Sequence, residues 1–257
     1  MTESTHKIDV GQIQKTAMDL LDQVAAQASS IGFPCNFETR VAEFLLLLRR
    51  VSEKRPLPVR RLLEIGCGAG FTLRLWSLLA DHVTGIDLPQ AIGQSRKVLA
   101  TFPPPSRNVE LVESRAEDFR ATDKYDVIVS QYVLEHVDDI PGVLVRIKEN
   151  LAPQGIAVHM LNSIESRTAW YVEYRQTTSL PRRIYHSWRE RGFLKTALGP
   201  FNYTVPHEPR FGSFAYELEE YRLERWALRL LRSGFEILDW FKTSDINQVF
   251  ITRPLDR

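Results

Sequence analysis

At 257 residues the chain is long enough for one sizeable core with decoration and too short for two comparable domains. A formal net charge of +1 supplies no global field of the kind that draws a protein onto nucleic acid or an anionic membrane, so a charged partner must meet a local patch. The two cysteines, Cys35 and Cys67, form neither a disulfide framework nor a metal knuckle and suit a reducing cytoplasm.

The opening MTESTHKID is polar and lacks a signal peptide, and the most apolar run, Phe44 to Leu48, is far too short to span a bilayer. A soluble, cytoplasmic protein is expected. Ile13, Ala17, Leu20, Leu21 and Val24 recur at helical spacing, and Val41, Phe44, Leu45, Leu48 and Val51 do so again after Gly32 and Pro34. From Arg61 short apolar runs alternate with helical stretches, the pattern of a parallel sheet with crossover helices. The strands are expected at 62–65, 82–87, 109–113, 125–130 and 156–161, with helices at 71–80, 89–100 and 140–151. A further helix is predicted from Phe214 to Ser233, capped by Ser213, with Leu223, Trp226, Ala227 and Leu230 on its inner face. Two last strands, 235–241 and 248–252, are joined by a link too short for a crossover helix and should pair antiparallel. The fold class is α/β, a doubly wound sheet with two helices ahead of it.

The segment LLEIGCGAGFTLRLW, Leu62 to Trp76, carries the chemistry. A strand runs into Gly66, Gly68 and Gly70 and then into a helix, so the backbone can turn sharply, approach a ligand closely and offer it free amides. The spacing is GxGxG, Glu64 stands two positions ahead of the first glycine, and the turn has no P-loop lysine. Asp87 ends the second strand in VTGIDL, where a carboxylate can accept both ribose hydroxyls of an adenosine ligand. The competing reading, a cap for the helix beginning near Pro89, is the weaker one given the glycine loop upstream.

With these motifs the chain resembles the class I S-adenosylmethionine-dependent methyltransferases, over residues 61–161 and again from about 234 to 253. Glu64, Gly66, Gly68 and Gly70 match their first motif, Asp87 their ribose-binding acid, and YDVIVSQYVLEHVDD their fourth-strand motif; PQGIAVHMLNS looks like their fifth strand with its preceding turn. The resemblance implies a Rossmann-like seven-stranded sheet with an antiparallel last strand. It divides one domain into an N-terminal helical cap (1–57), a core (58–161 and 234–257) and an insertion between strands 5 and 6 facing the acceptor (162–233). It also implies S-adenosylmethionine as cofactor, with Gly66 and Gly68 at the amino-acid portion, Asp87 at the ribose, Leu88 at the adenine face and Ser130 and Gln131 at the methionine arm. Glu64 would orient the loop, and Cys67 and Gly70 complete it. Where many relatives place an adenine-binding acid this chain has Arg115, so Glu117 or the amide of Ala116 takes that role.

Methyl transfer needs alignment and exclusion of water more than it needs a base. His136 in VLEHV and His207 in TVPHEPRFGSF are the candidates for a base, if one is used. Bracing of the loop is the favoured role for the Glu135–His136 pair, and an exposed loop histidine the slightly favoured one for His207. His159 reads as a packed strand residue. Cys67 reads as a small side chain in a tight turn and not as a nucleophile. Some quinone-modifying relatives complete a metal site with a carboxylate where this chain has Tyr132, so no metal is expected.

Residues 167–210 interleave arginines with Trp170, Tyr171, Tyr174, Tyr185, Trp188 and other aromatics. Such a stretch either binds an anionic ring-containing substrate, a phosphorylated lipid or a membrane surface, or forms a cap whose aromatics pack on the sheet; the cap is favoured. The tail from His207 is similar to methyltransferases of bacterial glycan and other biosynthetic pathways. The expected acceptor is therefore a small molecule, O- or C-methylated, with a saccharide or lipid-linked intermediate in view. No NPPY-like signature follows the fourth strand, so nucleic acid ranks low. The competing classes are a non-catalytic methyltransferase-like binding protein and, less favoured, a nucleotide-dependent oxidoreductase.

Overall fold

The computed structural model describes residues 10–31, 37–55, 59–100, 108–177, 179, 181–182, 221–243 and 247–255. Helices α1 (Val10–Ile31) and α2 (Phe37–Lys54) precede β1 (Val59–Ile65), α3 (Phe71–Trp76), β2 (Ala80–Asp87), α4 (Pro89–Ala100), β3 (Asn108–Glu113) and β4 (Tyr125–Gln131). A 3-10 turn (Leu134–His136), α5 (Ile140–Asn150), β5 (Leu151–Leu161) and α6 (Ile164–Thr177) follow, and α7 (Leu223–Arg232), β6 (Phe235–Lys242) and β7 (Gln248–Pro254) close the described chain.

The seven strands lie in the order β3-β2-β1-β4-β5-β7-β6. β1 to β5 are parallel, and β7 runs antiparallel between β5 and β6. This is the expected Rossmann-like sheet. Strands covered on both faces read as unbroken apolar runs, and Leu62, Leu63 and Ile65 are accordingly buried on alternate sides. One face packs on α1 to α4, with the Phe44 and Trp76 rings edge to face at 5.0 Å and Phe37 and Phe71 at 4.8 Å. The other face packs on α5 and on Trp226 and Leu230 of α7. Asp139 starts α5 by accepting the Gly142 amide at 2.9 Å, with Pro141 in the first turn.

β1, β2 and β7 run two or three residues beyond the expected ranges, and three boundaries differ more. α3 stops at Trp76 because the Ser77 hydroxyl donates to the Arg74 carbonyl at 2.7 Å and the chain turns so that Ala80 can pair with Val59. β5 begins at Leu151, which pairs with Tyr125 ahead of an irregularity; the expected turn becomes a local kink inside the strand, with Gln154 at φ 60°. The helix predicted from Phe214 begins at Leu223: Arg222 is extended, and the Gln248 side chain donates at 3.0 Å to the carbonyl of the buried Tyr221. Residues 214–220 and the Ser213 cap lie outside the described residues. Among the described residues no helix is long and apolar enough to cross a membrane.

Candidate functional site

The loop between β1 and α3 is built on three left-handed glycines, Gly66 at φ 70°, Gly68 at 55° and Gly70 at 79°. The Gly66 and Cys67 amides donate to the Ile86 carbonyl at 2.8 and 3.2 Å, which ties the loop to the end of β2. Asp87 completes that tie. One carboxylate oxygen accepts the Gly68 amide at 2.8 Å and the other the Leu88 amide at 2.7 Å, so the carboxylate serves the loop and its own strand end. From α4, the Ser95 hydroxyl donates to the Gly68 carbonyl at 2.6 Å.

Two cavities meet at Gly66. The larger, about 450 Å³, is bordered by Asp87, Leu88, Ala116, Glu117, Val133 and His136. Leu88 is 55% exposed and offers its apolar side chain to the cavity. Glu117 pairs with Arg115 at 3.4 Å, so the arginine in the acid's place steers an acid at the cavity wall. The smaller cavity, about 230 Å³, brings Arg40 of α2 together with Glu64, Gly68, Thr72, Gln131 and Tyr132.

Glu64 is buried, and burial pushes its carboxyl up to about 8, against the Thr72 hydroxyl bond and the Arg40 charge, which pull it down. One oxygen accepts the Thr72 hydroxyl at 2.6 Å; the other has no hydrogen-bond partner among the described residues. A buried acceptor left open beside a cavity is suited to a ligand donor. Cys67 is buried as well, and its thiol is pushed up to about 12 by desolvation and by Glu64. Such a thiol stays protonated, so Cys67 in the folded protein is expected to resist iodoacetamide at pH 8, with the modification read by peptide mass spectrometry.

The structure gathers Glu64, Gly66, Cys67, Gly68, Gly70 and Gln131 around the smaller cavity, and Asp87, Leu88, Ala116 and Glu117 around the larger. Ser130 departs from expectation: its hydroxyl faces the core, 3.0 Å from His159 Nδ1, because alternate β4 side chains leave on opposite sides. His159 is fully buried, which pushes its ring down to about 4. His136 is exposed and borders the larger cavity on the Leu88 side. The bracing of this turn comes from Glu135, whose buried carboxylate accepts the Asn162 backbone amide at 3.2 Å and its side-chain amide at 2.7 Å. His207 and the aromatic stretch from residue 183 onward lie outside the described residues.

Arg40, Glu43, Ser95 and Asn247 were not foreseen. The sequence signal for the first two is faint: an i,i+3 charge pair, with Glu43 set inside the apolar run Val41 to Leu48.

A family model described as a methyltransferase domain matches residues 37–208. A ubiquinone biosynthesis O-methyltransferase of Marinobacter nauticus is 32% identical over 124 residues, covering 48% of this chain and 51% of that protein. A mitochondrial ubiquinone biosynthesis O-methyltransferase of Schizosaccharomyces pombe is 29% identical over 97 residues, 37% of this chain and 35% of its own length. The chain thus spans about half, or less, of the curated relatives it matches. Among solved structures, an S-adenosylmethionine-dependent methyltransferase of Clostridium acetobutylicum superposes with a TM-score of 0.56 at 11% identity, over 93% of this chain and 99% of that one. The glycopeptide N-methyltransferase MtfA, solved with S-adenosylmethionine, gives 0.55 at 15% identity over 84% of this chain and 93% of its own. These two likenesses are likenesses of fold.

Proposed function

The chain belongs to the methyltransferase domain family, and from that premise we propose that it is an S-adenosylmethionine-dependent methyltransferase acting on a small molecule. One observation carries the reading: a cavity of about 450 Å³ that sets Leu88, Ala116 and Val133 beside Asp87 and Glu117 meets, at Gly66, a smaller cavity that holds a guanidinium and a buried carboxyl. S-adenosylmethionine has that bipartite character, a nucleoside joined to a zwitterionic amino acid.

In this assignment Asp87 receives the ribose hydroxyls, Leu88 and Ala116 flank the adenine, and Glu117 meets its amino group. Gly66 and Gly68 bring backbone against the amino-acid arm, and Cys67 and Gly70 hold the shape of that turn. Gln131 borders the arm. Arg40 faces its carboxylate and the open oxygen of Glu64 its ammonium. The bound cofactor supplies a methyl group on a sulfonium, and the residues around it orient that group and keep water away. An oxygen acceptor is favoured because the curated relatives matched here are O-methyltransferases. The acceptor class is a hydroxylated metabolite, a saccharide or lipid-linked intermediate included, admitted from the side of the 162–233 insertion. We place the reaction in the cytoplasm and read residues 1–257 as one domain.

Calorimetry tests the cofactor assignment. Micromolar binding of S-adenosylmethionine and S-adenosylhomocysteine is expected. Asp87→Asn, which sets an amide donor against the Gly68 or Leu88 amide and weakens the ribose contact, should cost about 2 kcal/mol, roughly thirtyfold in affinity. Absence of saturable binding to folded protein at high micromolar ligand would sink the assignment. Turnover is then scored as S-adenosylhomocysteine released with a panel of hydroxylated acceptors.

A further inference from the structure

Glu43 carries a carboxylate into the core, where a charge persists only when it is paired and fully hydrogen-bonded; it is 4% exposed, on a helix whose neighbouring Val41, Phe44 and Leu47 are core residues. Both of its oxygens are used. One receives Arg40 Nη1 at 2.9 Å and the other the Tyr132 hydroxyl. That hydroxyl in turn accepts the Asn247 side-chain amide at 2.9 Å. The Arg40 guanidinium lies 4.9 Å from the centre of the Tyr132 ring, so the cation is held by a carboxylate and an aromatic face together.

The chain has gone to some cost to build this arrangement. Tyr132 has φ 58°, a left-handed conformation that a bulky residue adopts only where its surroundings impose it, at of order 1–3 kcal/mol. Its amide donates to the Met160 carbonyl at 2.8 Å, which holds the backbone in that turn. Asn247 is presented by the β6–β7 connection, closed by Thr243 N to Asn247 O at 2.8 Å and Asn247 N to Thr243 Oγ1 at 3.2 Å. Arg40 at the wall of the smaller cavity is thus held by Glu43 of its own helix and by Tyr132 after β4, and Tyr132 is held in turn by Asn247.

We infer that Glu43, Tyr132 and Asn247 are positioning residues that fix Arg40 over the aminoacyl cavity, so that the carboxylate end of the ligand is read by a preset cation. The inference rests on the cofactor assignment above. It adds that recognition of the amino-acid end depends on α2 and on the β6–β7 connection, outside the glycine loop. Preorganisation of this kind strengthens a charge-assisted hydrogen bond because the ordering cost is met during folding.

The test compares two ligands that share a nucleoside and a thioether, S-adenosylhomocysteine and 5′-methylthioadenosine, which lacks the amino-acid end. For Tyr132→Phe and Glu43→Gln the brace predicts S-adenosylhomocysteine binding weakened about tenfold, with methylthioadenosine held within about twofold. Asn247→Ser should give the same split, smaller. In an Arg40→Met background neither change should weaken S-adenosylhomocysteine further, since the path through Arg40 is gone. Glu43→Gln is the sharpest arm: if Glu43 merely screens Arg40, neutralising it tightens S-adenosylhomocysteine binding, and the inference fails. It fails also if both ligands weaken equally, if neither changes, or if the losses add in the Arg40→Met background. Methylthioadenosine binding doubles as the folding control. Wild-type protein that binds neither ligand overturns the cofactor assignment together with the brace; wild-type protein that binds both ligands equally overturns the brace and the contacts assigned to the amino-acid end, and leaves the nucleoside contacts standing.

Discussion

Gly66→Ala is expected to destabilise the protein by about 3 kcal/mol and to remove cofactor binding even in the fraction that stays folded. A Cβ at this position would lie 2.2 Å from Val133 Cγ2, 3.0 Å from Cγ1 and 3.2 Å from Cβ, on a backbone held at φ +70°. Turning the methyls aside does not clear the contact, because Val133 Cβ itself lies at 3.2 Å and its backbone is anchored between the strained Tyr132 and the 3-10 turn. The loop must move instead. Gly66 is also the wall shared by the two cavities, so its movement disturbs both halves of the ligand site. Gly68→Ala is the control. Its backbone is equally left-handed, at φ +55°, but no atom lies within 4 Å of the added carbon, so it should cost only about 1 kcal/mol. Urea unfolding of the two variants separates close approach from backbone strain; equal losses would show that the Val133 contact is unimportant.

The contrast between these glycines shows what the sequence could and could not convey. Glu64, Gly66, Gly68 and Gly70 lie in one strand–loop–helix segment, and Asp87 ends the adjacent strand, so local rules and sheet topology were enough to bring them together. The fold was legible for the same reason: apolar runs and helical periods alternate along the chain, and the order of strands follows from right-handed crossovers. Arg40 and Glu43 depend instead on how α2 lies across the β1–α3 loop, which no local pattern encodes. Ser130 and Gln131 show how finely such a reading can miss, since adjacent strand residues face opposite ways and one step of parity sends Ser130 to His159 and Gln131 to the cavity. At the start of α7 Arg222 is extended and the Tyr221 carbonyl accepts from the Gln248 side chain, a tertiary bond that no local pattern encodes.

The second large effect expected is a dependence of stability and of ligand binding on pH that is traceable to Glu64. In the unfolded chain this carboxyl titrates near 4.5, and in the folded protein burial raises it to about 8. Below 4.5 it is protonated in both states and costs nothing. As pH rises from there the unfolded state loses its proton first, so the folded state binds more protons and stability falls, levelling off above about 8. At 1.4 kcal/mol per pKa unit the total penalty is of the order of a few kcal/mol. Arg40 from α2, Asp87 from β2, Thr72 from α3 and Cys67 in the loop all face this carboxyl; the first and third favour its charge and Asp87 opposes it, and desolvation outweighs them. Glu64→Gln should therefore flatten the fall in melting temperature of the ligand-free protein between pH 5 and 8, and the variant should be the more stable protein at pH 8. Binding reverses the balance. An ammonium placed against the open oxygen favours the charged carboxylate, so at pH 7 ligand entry expels close to one proton. Calorimetry in buffers of different ionisation enthalpy measures that proton directly. If wild type and Glu64→Gln release the same number, the proton comes from elsewhere and Glu64 does not meet the ligand's ammonium. If the release vanishes with the carboxylate, Glu64 is neutral in the empty site and charged in the occupied one.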